Sequence, residues 1–212
     1  SRAAAKTITH AAGFYQLAGR EEEALDVVER GIAMAAAVGD TPTYARGLVI
    51  RGSSLVQMGE YGGVEEVEEG LRIFLDRGDS QRVMTSYNNL GTFQIFIGRL
   101  EEGRATMDDA IEYGRQRGLD PHVEWSLGTR CEALFPLGEW DALLETTAAL
   151  VEADDARGGT QTGTFARLWA SHVAFHRGDE AGALAVREAA MPSVRDIGDP
   201  RSEERRVGKE CV

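Results

Sequence analysis

The sequence is short of most features by which a catalytic or secreted domain is recognised. It holds two cysteines in 212 residues, and one of them, Cys211, falls in a terminal stretch treated separately below. Cys131 alone can form no intrachain disulfide, which fits a reducing cytosol, so the expected localisation is cytoplasmic. There are five prolines, aromatics make up 7%, and runs of β-branched residues are scarce. Alanine, glutamate, leucine and arginine dominate instead, a bias toward an all-α chain. No apolar run approaches the roughly 20 residues needed to cross a bilayer. No signal peptide is visible either, although the chain starts at Ser1 without a methionine, so the native start is expected upstream. Positive charge is also in deficit, 23 basic residues against 35 acidic for a net −12. A nucleic-acid surface would need clustered lysine and arginine, so no direct nucleic-acid partner is expected. The acidity reads as a solubility feature, with a preference for a basic partner as its functional counterpart.

Motifs that carry chemistry are lacking too. The one Gly-Lys pair, Gly208-Lys209, has no upstream glycine of a phosphate loop. Arg51-Gly52-Ser53-Ser54 is not a nucleophile elbow and lies within a helical pattern. His172 and His176 are four apart and share a helix face, as two metal ligands would, but a zinc site needs further ligands. The pairs Asp108-Asp109 and Asp154-Asp155 are adjacent in helical stretches, where neighbouring side chains diverge by about 100°, so they form no dyad. No catalytic residue, cofactor or metal is expected in this segment.

The last residues stand apart. Arg201 to Cys211, RSEERRVGKEC, matches the translation of a common short-read sequencing adapter, and Val212 follows it. Arg201–Val212 is therefore expected to be adapter read-through and is excluded from the fold argument. Setting aside its four basic and three acidic residues moves the net charge from −12 to −13.

What is present is punctuation. Asn88 to Asp120 reads as one complete helical hairpin: an apolar run from Leu90 to Ile97, a stop at Gly98, Glu101-Glu102 opening a second helix, and Gly118 closing it. The plan recurs. Turn glycines at 19, 59, 98, 138 and 178 are spaced by 40, 39, 40 and 40 residues. A second series closes the hairpins at Gly39-Asp40, Gly78-Asp79, Gly118 to Asp120 and Gly198-Asp199, with a degenerate copy at Gly158-Gly159-Thr160. A fixed period marks a repeat architecture. Its five copies span about 1–39, 40–78, 79–119, 120–159 and 160–199 of a repeat domain over 1–200.

Each mark has a physical reason. Glycine past a helix end can take the left-handed conformation that satisfies the last carbonyls. The Asp, Ser or Thr that follows can cap the next helix, and Pro42 and Pro121 then sit at its first position, where no N–H is missed. Acidic residues after the inner turn, such as Glu21-Glu22-Glu23 and Glu101-Glu102, suit the helix dipole. Seven residues before each turn glycine stand Ala12, Gly52, Gly91, Cys131 and Ser171, a small-residue column that lets a neighbouring helix come close. Cys131 is thereby a packing residue, not a nucleophile. Tyr61, Leu100 and Trp140, two residues past their glycines, are expected to plug the hairpin corners.

Small residue, turn glycine, bulky residue and acidic run together resemble the tetratricopeptide repeat (TPR). GREEEAL, GRLEEG and GEW-DALL are similar to its inner turns, and Tyr87-Asn88-Asn89-Leu90-Gly91 to its NLG element. The usual period is about 34, so these copies are longer. HEAT-type repeats share the longer period without this turn chemistry. The resemblance implies an all-α, right-handed superhelical solenoid of five helix-turn-helix repeats, whose concave face is the default binding surface. The long period and Gly-Asp hairpin ends resemble the helical-repeat regions of large bacterial signalling ATPases with cyclase or LuxR-type domains elsewhere. The function this implies is a protein- or peptide-binding scaffold, the sensor or interaction region of such a regulator. The alternative is a fragment of an enzyme, a nucleotide cyclase or ATPase, whose catalytic domain lies outside this chain.

In the repeat that this chain resembles, the concave face is lined by residues about 13, 10, 9, 6, 3 and 2 positions before the turn glycine. Transferred position by position, these are Lys6, Thr9, His10, Arg46 and Ser53, then Thr85, Asn88, Asn89 and Thr92, then Trp125, Thr129, Glu132, Phe165, Trp169 and His172. The implied groove is polar to basic at one end and aromatic at the other. The chain is also expected to break off at the start of a sixth repeat, leaving repeat five and the tail the more mobile.

Overall fold

Glycine sets where the helices stop. In the computed structural model, which describes residues 1–155 and 161–196, Gly19, Gly39, Gly59, Gly78, Gly98, Gly118, Gly138 and Gly178 all have positive φ, between 63° and 89°. These are the eight punctuating glycines of the described chain, and a Cβ would strain each of them. Gly158 to Thr160, Gly198 to Pro200 and the adapter-like Arg201–Val212 lie outside the described residues.

Between these stops run ten α-helices, with no strand among the described residues: α1 (Arg2–Leu17), α2 (Glu21–Ala37), α3 (Thr41–Gln57), α4 (Gly63–Arg77), α5 (Ser80–Phe96), α6 (Leu100–Arg115), α7 (Asp120–Leu134), α8 (Trp140–Asp155), α9 (Gln161–His176) and α10 (Glu180–Asp196). They pair into five hairpins. Asp40 and Asp79 cap α3 and α5 by accepting from the backbone N–H of Thr43 and Arg82, at 3.4 and 3.3 Å. Asp179 does the same for α10 through Gly182, at 2.9 Å. Because Asp40 is the cap, Thr41 is the first helical residue and Pro42 the second; α7 likewise starts at Asp120, before Pro121. The prolines thus sit one position later than expected, still within the first turn, where no intrahelical N–H is needed. None of the helices is long and apolar enough to cross a membrane, among the described residues.

The chain divides into two compact units, Ser1–Ser126 and Leu127–Val212, the division falling within α7. In the first unit each hairpin packs on itself and its second helix packs on the next hairpin's first helix, α2 on α3 and α4 on α5. The cores follow this chain of neighbours. Ala12, Val28, Ile32 and Ile50 join α1, α2 and α3, and Val49, Val67, Phe74, Val83 and Leu90 join α3, α4 and α5. First helices also touch one another, α1 against α3 and α3 against α5, whereas α2, α4 and α6 do not touch among themselves. The first helices therefore form the closely spaced face of this unit.

The small-residue column is buried, and at Gly52 and Gly91 the helix it lets come close is the second helix of the same hairpin. A Cβ on Gly52 would fall under 3.0 Å from the carbonyl oxygen of Gly63, on the second helix of the same hairpin. One on Gly91 would meet Met107 and the Gly103 carbonyl of α6, again the same hairpin. At these two addresses the column sets the helix spacing inside the hairpin. Ser171 uses its hydroxyl at this address to donate to the Ala183 carbonyl at 2.9 Å. Cys131 is fully buried and donates to the Leu127 carbonyl at 3.3 Å. Burial pushes its thiol up to about 12, consistent with a packing role.

The corner plugs are not uniform. Trp140 packs in the core of the second unit with Leu134, Leu143 and Val173, and its indole N–H donates to the Phe135 carbonyl at 3.0 Å. Leu100 is half-buried, but Tyr61 is exposed. The reason lies in the second hairpin's turn, which runs on to Gly63 before α4 begins, so Tyr61 precedes the helix that would have turned it inward.

Candidate functional site

The first-helix addresses separate by burial in a way their sequence spacing only partly foretells. Thirteen positions before the turn glycine, Lys6, Thr85, Trp125 and Phe165 are exposed and Arg46 is half-buried. Six positions before it, Thr92, Glu132 and His172 are exposed. Nine positions before it, His10, Asn89 and Trp169 are half-buried. These addresses are four and three residues apart and make one helical stripe. The address ten before the glycine lies about 100° round the helix from the one nine before it. There the chain turns inward, and Thr9, Val49 and Asn88 are buried.

Four of the site residues expected from sequence, Thr9, Ser53, Asn88 and Thr129, are buried and so off the open face. Asn88 is 2% exposed. Its amide donates to the Met84 carbonyl at 3.1 Å and accepts from the Ser126 hydroxyl at 3.2 Å, tying α5 to the start of α7. Such a side chain has its hydrogen bonds inside the fold, so Asn88 positions helices. Ser53 is buried at the address where Thr92 is exposed, because α3 is buried over most of its length. Thr129 is buried as well, and Thr9 lies where a Cβ on Gly31 of α2 would strike it.

In the first unit the stripe is polar and basic. Lys6 and His10 stand one turn apart on α1. Arg46 of α3 reaches toward them, one guanidinium nitrogen lying 3.5 Å from where a Cβ on Gly13 would be. Burial lowers the basicity of His10, and the charges of Arg46, Lys6 and Arg82 lower it further. Arg46 is shifted down as well, by burial first and then by Arg82. Arg82 was missed in the sequence because it stands 16 residues before its turn glycine, outside the transferred addresses. It pairs with Asp79 at 3.1 Å and lies over the Phe74 ring at 5.6 Å. Further along, Thr85, Asn89 and Thr92 continue the stripe on α5, the Thr85 hydroxyl donating to the Gln81 carbonyl at 3.0 Å. Trp125, on the part of α7 within this unit, is 55% exposed.

In the second unit the stripe is aromatic. Phe135 is its centre, with ring centroids to Trp169 at 5.5 Å, His172 at 6.0 Å, His176 at 5.2 Å and Trp140 at 6.1 Å. Trp169 and His172 meet edge to face at 5.5 Å. Trp169 is thus part of a packed cluster and half-exposed at once, whereas Phe165 is open. Phe135, Trp140 and His176 were not among the expected site residues: they belong to the turn and its flanks, and only the ring contacts reveal them.

No family model matches the sequence, and no curated protein matches it. Solved structures do. A kinesin light chain-like protein of Podosopora anserina, with nearly identical TPR-like repeats, matches at a TM-score of 0.76 and 14% identity, over 93% of this chain and 97% of that one. BtubC (BKLC) from P. vanneervenii matches at 0.74 and 15%, over 93% and 82%. The Rap conjugation gene regulator of the plasmid pLS20, in complex with the Phr* peptide, matches at 0.68 and 15%, over 91% of this chain and 53% of that one. At these identities the likeness is one of fold, and the fold is that of a TPR-like helical-repeat protein.

Proposed function

We propose that this chain is a peptide- or protein-binding scaffold, and that it serves as the sensor or interaction region of a larger bacterial signalling regulator. The partner is an extended segment lying along the first helices. The observation that carries this reading is the stripe itself: Lys6, Thr85, Asn89 and Thr92 stand open or half-open on the face where α1, α3 and α5 come closest. An array of this kind presents an extended surface made of one address repeated. Half-buried Asn89 can fix a peptide backbone by hydrogen bonds, while Trp125, Phe165 and Trp169 are the residue types that dominate interface energies. A peptide complex of the Rap regulator, a protein of the same fold, is consistent with this use.

The test is titration of a partner segment, captured with the longer parent protein, against Asn89→Ala and Trp169→Ala. A loss of roughly 1–2 kcal/mol in each, with unchanged helicity, is expected. Unchanged affinity in both would place binding on the second helices or the loops.

A further inference from the structure

Opposite the buried Ala5, Thr9 and Ala12, which turn toward α2, the helix α1 carries Ala4, Thr7, Ala11, Phe14 and Ala18 on an open face. Their spacing, alternately three and four residues, is that of a seam along which one helix pairs with another. Phe14 is 73% exposed and Leu17, at the margin, 83%, the two most open large apolar side chains among the described residues. In the other hairpins the same addresses are closed. Twelve positions before the turn glycine, Thr7 is open, whereas Gly47, Ser86, Ser126 and Ala166 are buried. Five before it, Phe14 is open, whereas Ser54, Ala133 and Val173 are buried and Phe93 is half-buried. α3 shows what closes them. A Cβ on Gly47 would strike Ile32 of α2, and Tyr44, at the address of Ala4, packs against the core that holds Val28 and Ile32. The fold thus uses this face of a first helix to seat another helix, and on α1 the face is open to solvent.

We propose that this face pairs with its like on a second copy of the chain, the two α1 helices running antiparallel about a two-fold axis. Large and small residues are placed along the seam so that it complements itself. With Phe14 set on Ala4 of the second copy, the same antiparallel register sets Thr7 on Ala11, Ala11 on Thr7 and Ala4 on Phe14. Every larger side chain then meets a methyl group. In a parallel pair Phe14 would meet Phe14 and Ala4 would meet Ala4, a clash beside a gap. No seam residue is charged, Lys6 and His10 lying to the side of α3, so a like copy meets no like charge along it. A head-to-tail contact with α10 is less suited. At the address where α2 and α6 bury Val28 and Met107, α10 carries exposed Arg187. Two like faces close into a dimer, whereas a head-to-tail contact would grow into a filament. One helix pair buries less than the roughly 800 Å² per partner of a standard interface, so the dissociation constant is expected at about tens of micromolar. The proposal is independent of the peptide-binding reading, whose ligand lies along the stripe and not on this seam.

The experiment is sedimentation velocity of the full chain from about 1 to about 500 μM, in reducing buffer so that Cys211 cannot bridge copies. The expected result is a reversible monomer–dimer equilibrium with no larger species. Phe14→Glu should leave the chain monomeric across the range, and because Phe14 is exposed, helicity and urea midpoint should match the parent. Ala4→Phe, which sets ring on ring, and Phe14→Ala, which leaves a gap, should each weaken the dimer by about ten-fold or more. The double variant Ala4→Phe with Phe14→Ala restores ring on methyl at both places and should recover the parent affinity, which a merely adhesive surface would not do. A chain that stays monomeric would overturn the proposal, as would a dimer that Phe14→Glu leaves intact or a double variant no better than Phe14→Ala. So would oligomers that grow beyond two and dissolve in Leu184→Glu, since the contact would then run through α10. Loss of a captured partner protein in Phe14→Glu, with no dimer of the parent chain, would assign the face to that protein and equally overturn the proposal.

Discussion

One added methyl group tests how the hairpins are spaced. Gly52→Ala places a Cβ under 3.0 Å from the Gly63 carbonyl oxygen, with Glu66 Cβ and Val67 Cγ2 each at 3.0 Å. The obstacle is backbone, so no rotamer change relieves it and α3 and α4 must separate. Alanine in a helix interior would by itself stabilise by roughly 0.5–1 kcal/mol over glycine. Overpacking a closed interface costs about 1–3 kcal/mol, so the net expectation is a loss of about 1–2 kcal/mol. Gly91→Ala occupies the same address but meets chiefly the terminal methyl of Met107, which can swing aside, although the Gly103 carbonyl at 3.3 Å remains. A rotamer adjustment costs about 0.5–1.5 kcal/mol, so this variant should be near neutral. Gly91→Leu cannot be accommodated that way and should resemble Gly52→Ala or exceed it. At Gly128 nothing lies within 4 Å of an added Cβ, and Gly128→Ala should stabilise the second unit by roughly 0.5–1 kcal/mol. Glu102→Ala, on the exposed first turn of α6, should stay within about 0.5 kcal/mol. Urea unfolding followed by far-ultraviolet circular dichroism gives the order. Gly52→Ala as stable as the parent chain, or less harmful than Gly91→Ala, would refute the reasoning.

Other consequences can be checked as directly. Cys131, buried with its thiol pushed up to about 12, should resist alkylation at about pH 8 and react only in denaturant; mass spectrometry at that residue reads it, and rapid native labelling would contradict the packing assignment. Because the folded chain holds His10 below its ordinary range, the unfolded chain binds the proton more readily as pH falls through that range. Stability is then fully present above the unfolded histidine value and is lost as pH drops toward the folded one. His10→Gln should flatten that part of the stability–pH curve, and an unchanged slope would show that His10 is not so held. Phe135→Ala removes the ring on which Trp140, Trp169 and His176 meet; as the site is half-buried, the loss should be about 2 kcal/mol, with a change in tryptophan fluorescence, and no loss would mean the cluster is surface decoration.

Much of the fold was legible because its rules are local. A left-handed φ needs glycine, so eight stops could be placed from residue type and spacing, and Asp40, Asp79 and Asp179 cap helices for equally local reasons. The small-residue column was legible as a column, but its partner was not. Which helix approaches Gly52 depends on Gly63, eleven residues on, across a turn whose length sequence spacing did not reveal. The same extra length leaves Tyr61 outside the corner it was expected to fill. At the candidate site, the resemblance to the repeat supplied the addresses of Lys6, Asn89 and Thr92, which stand open or half-open on the first helices of the first unit. It could not say that the address of Asn88 turns inward, since the hydrogen bond to Ser126 that holds it crosses 38 residues. Arg82 escaped for a related reason: it belongs to the basic cluster through space, by the neighbourhood of α1, α3 and α5, and not through its position in the repeat.

The account stands on the first helices carrying the ligand. Hydroxyl-radical footprinting of the chain, with and without a partner segment captured by the parent protein, reads this side chain by side chain. Protection is predicted at Trp125, Phe165 and Trp169, with Tyr61 and Leu75, exposed away from the stripe, reacting as in the free chain. Protection of Tyr61 and Leu75 with Trp125, Phe165 and Trp169 unchanged would contradict it.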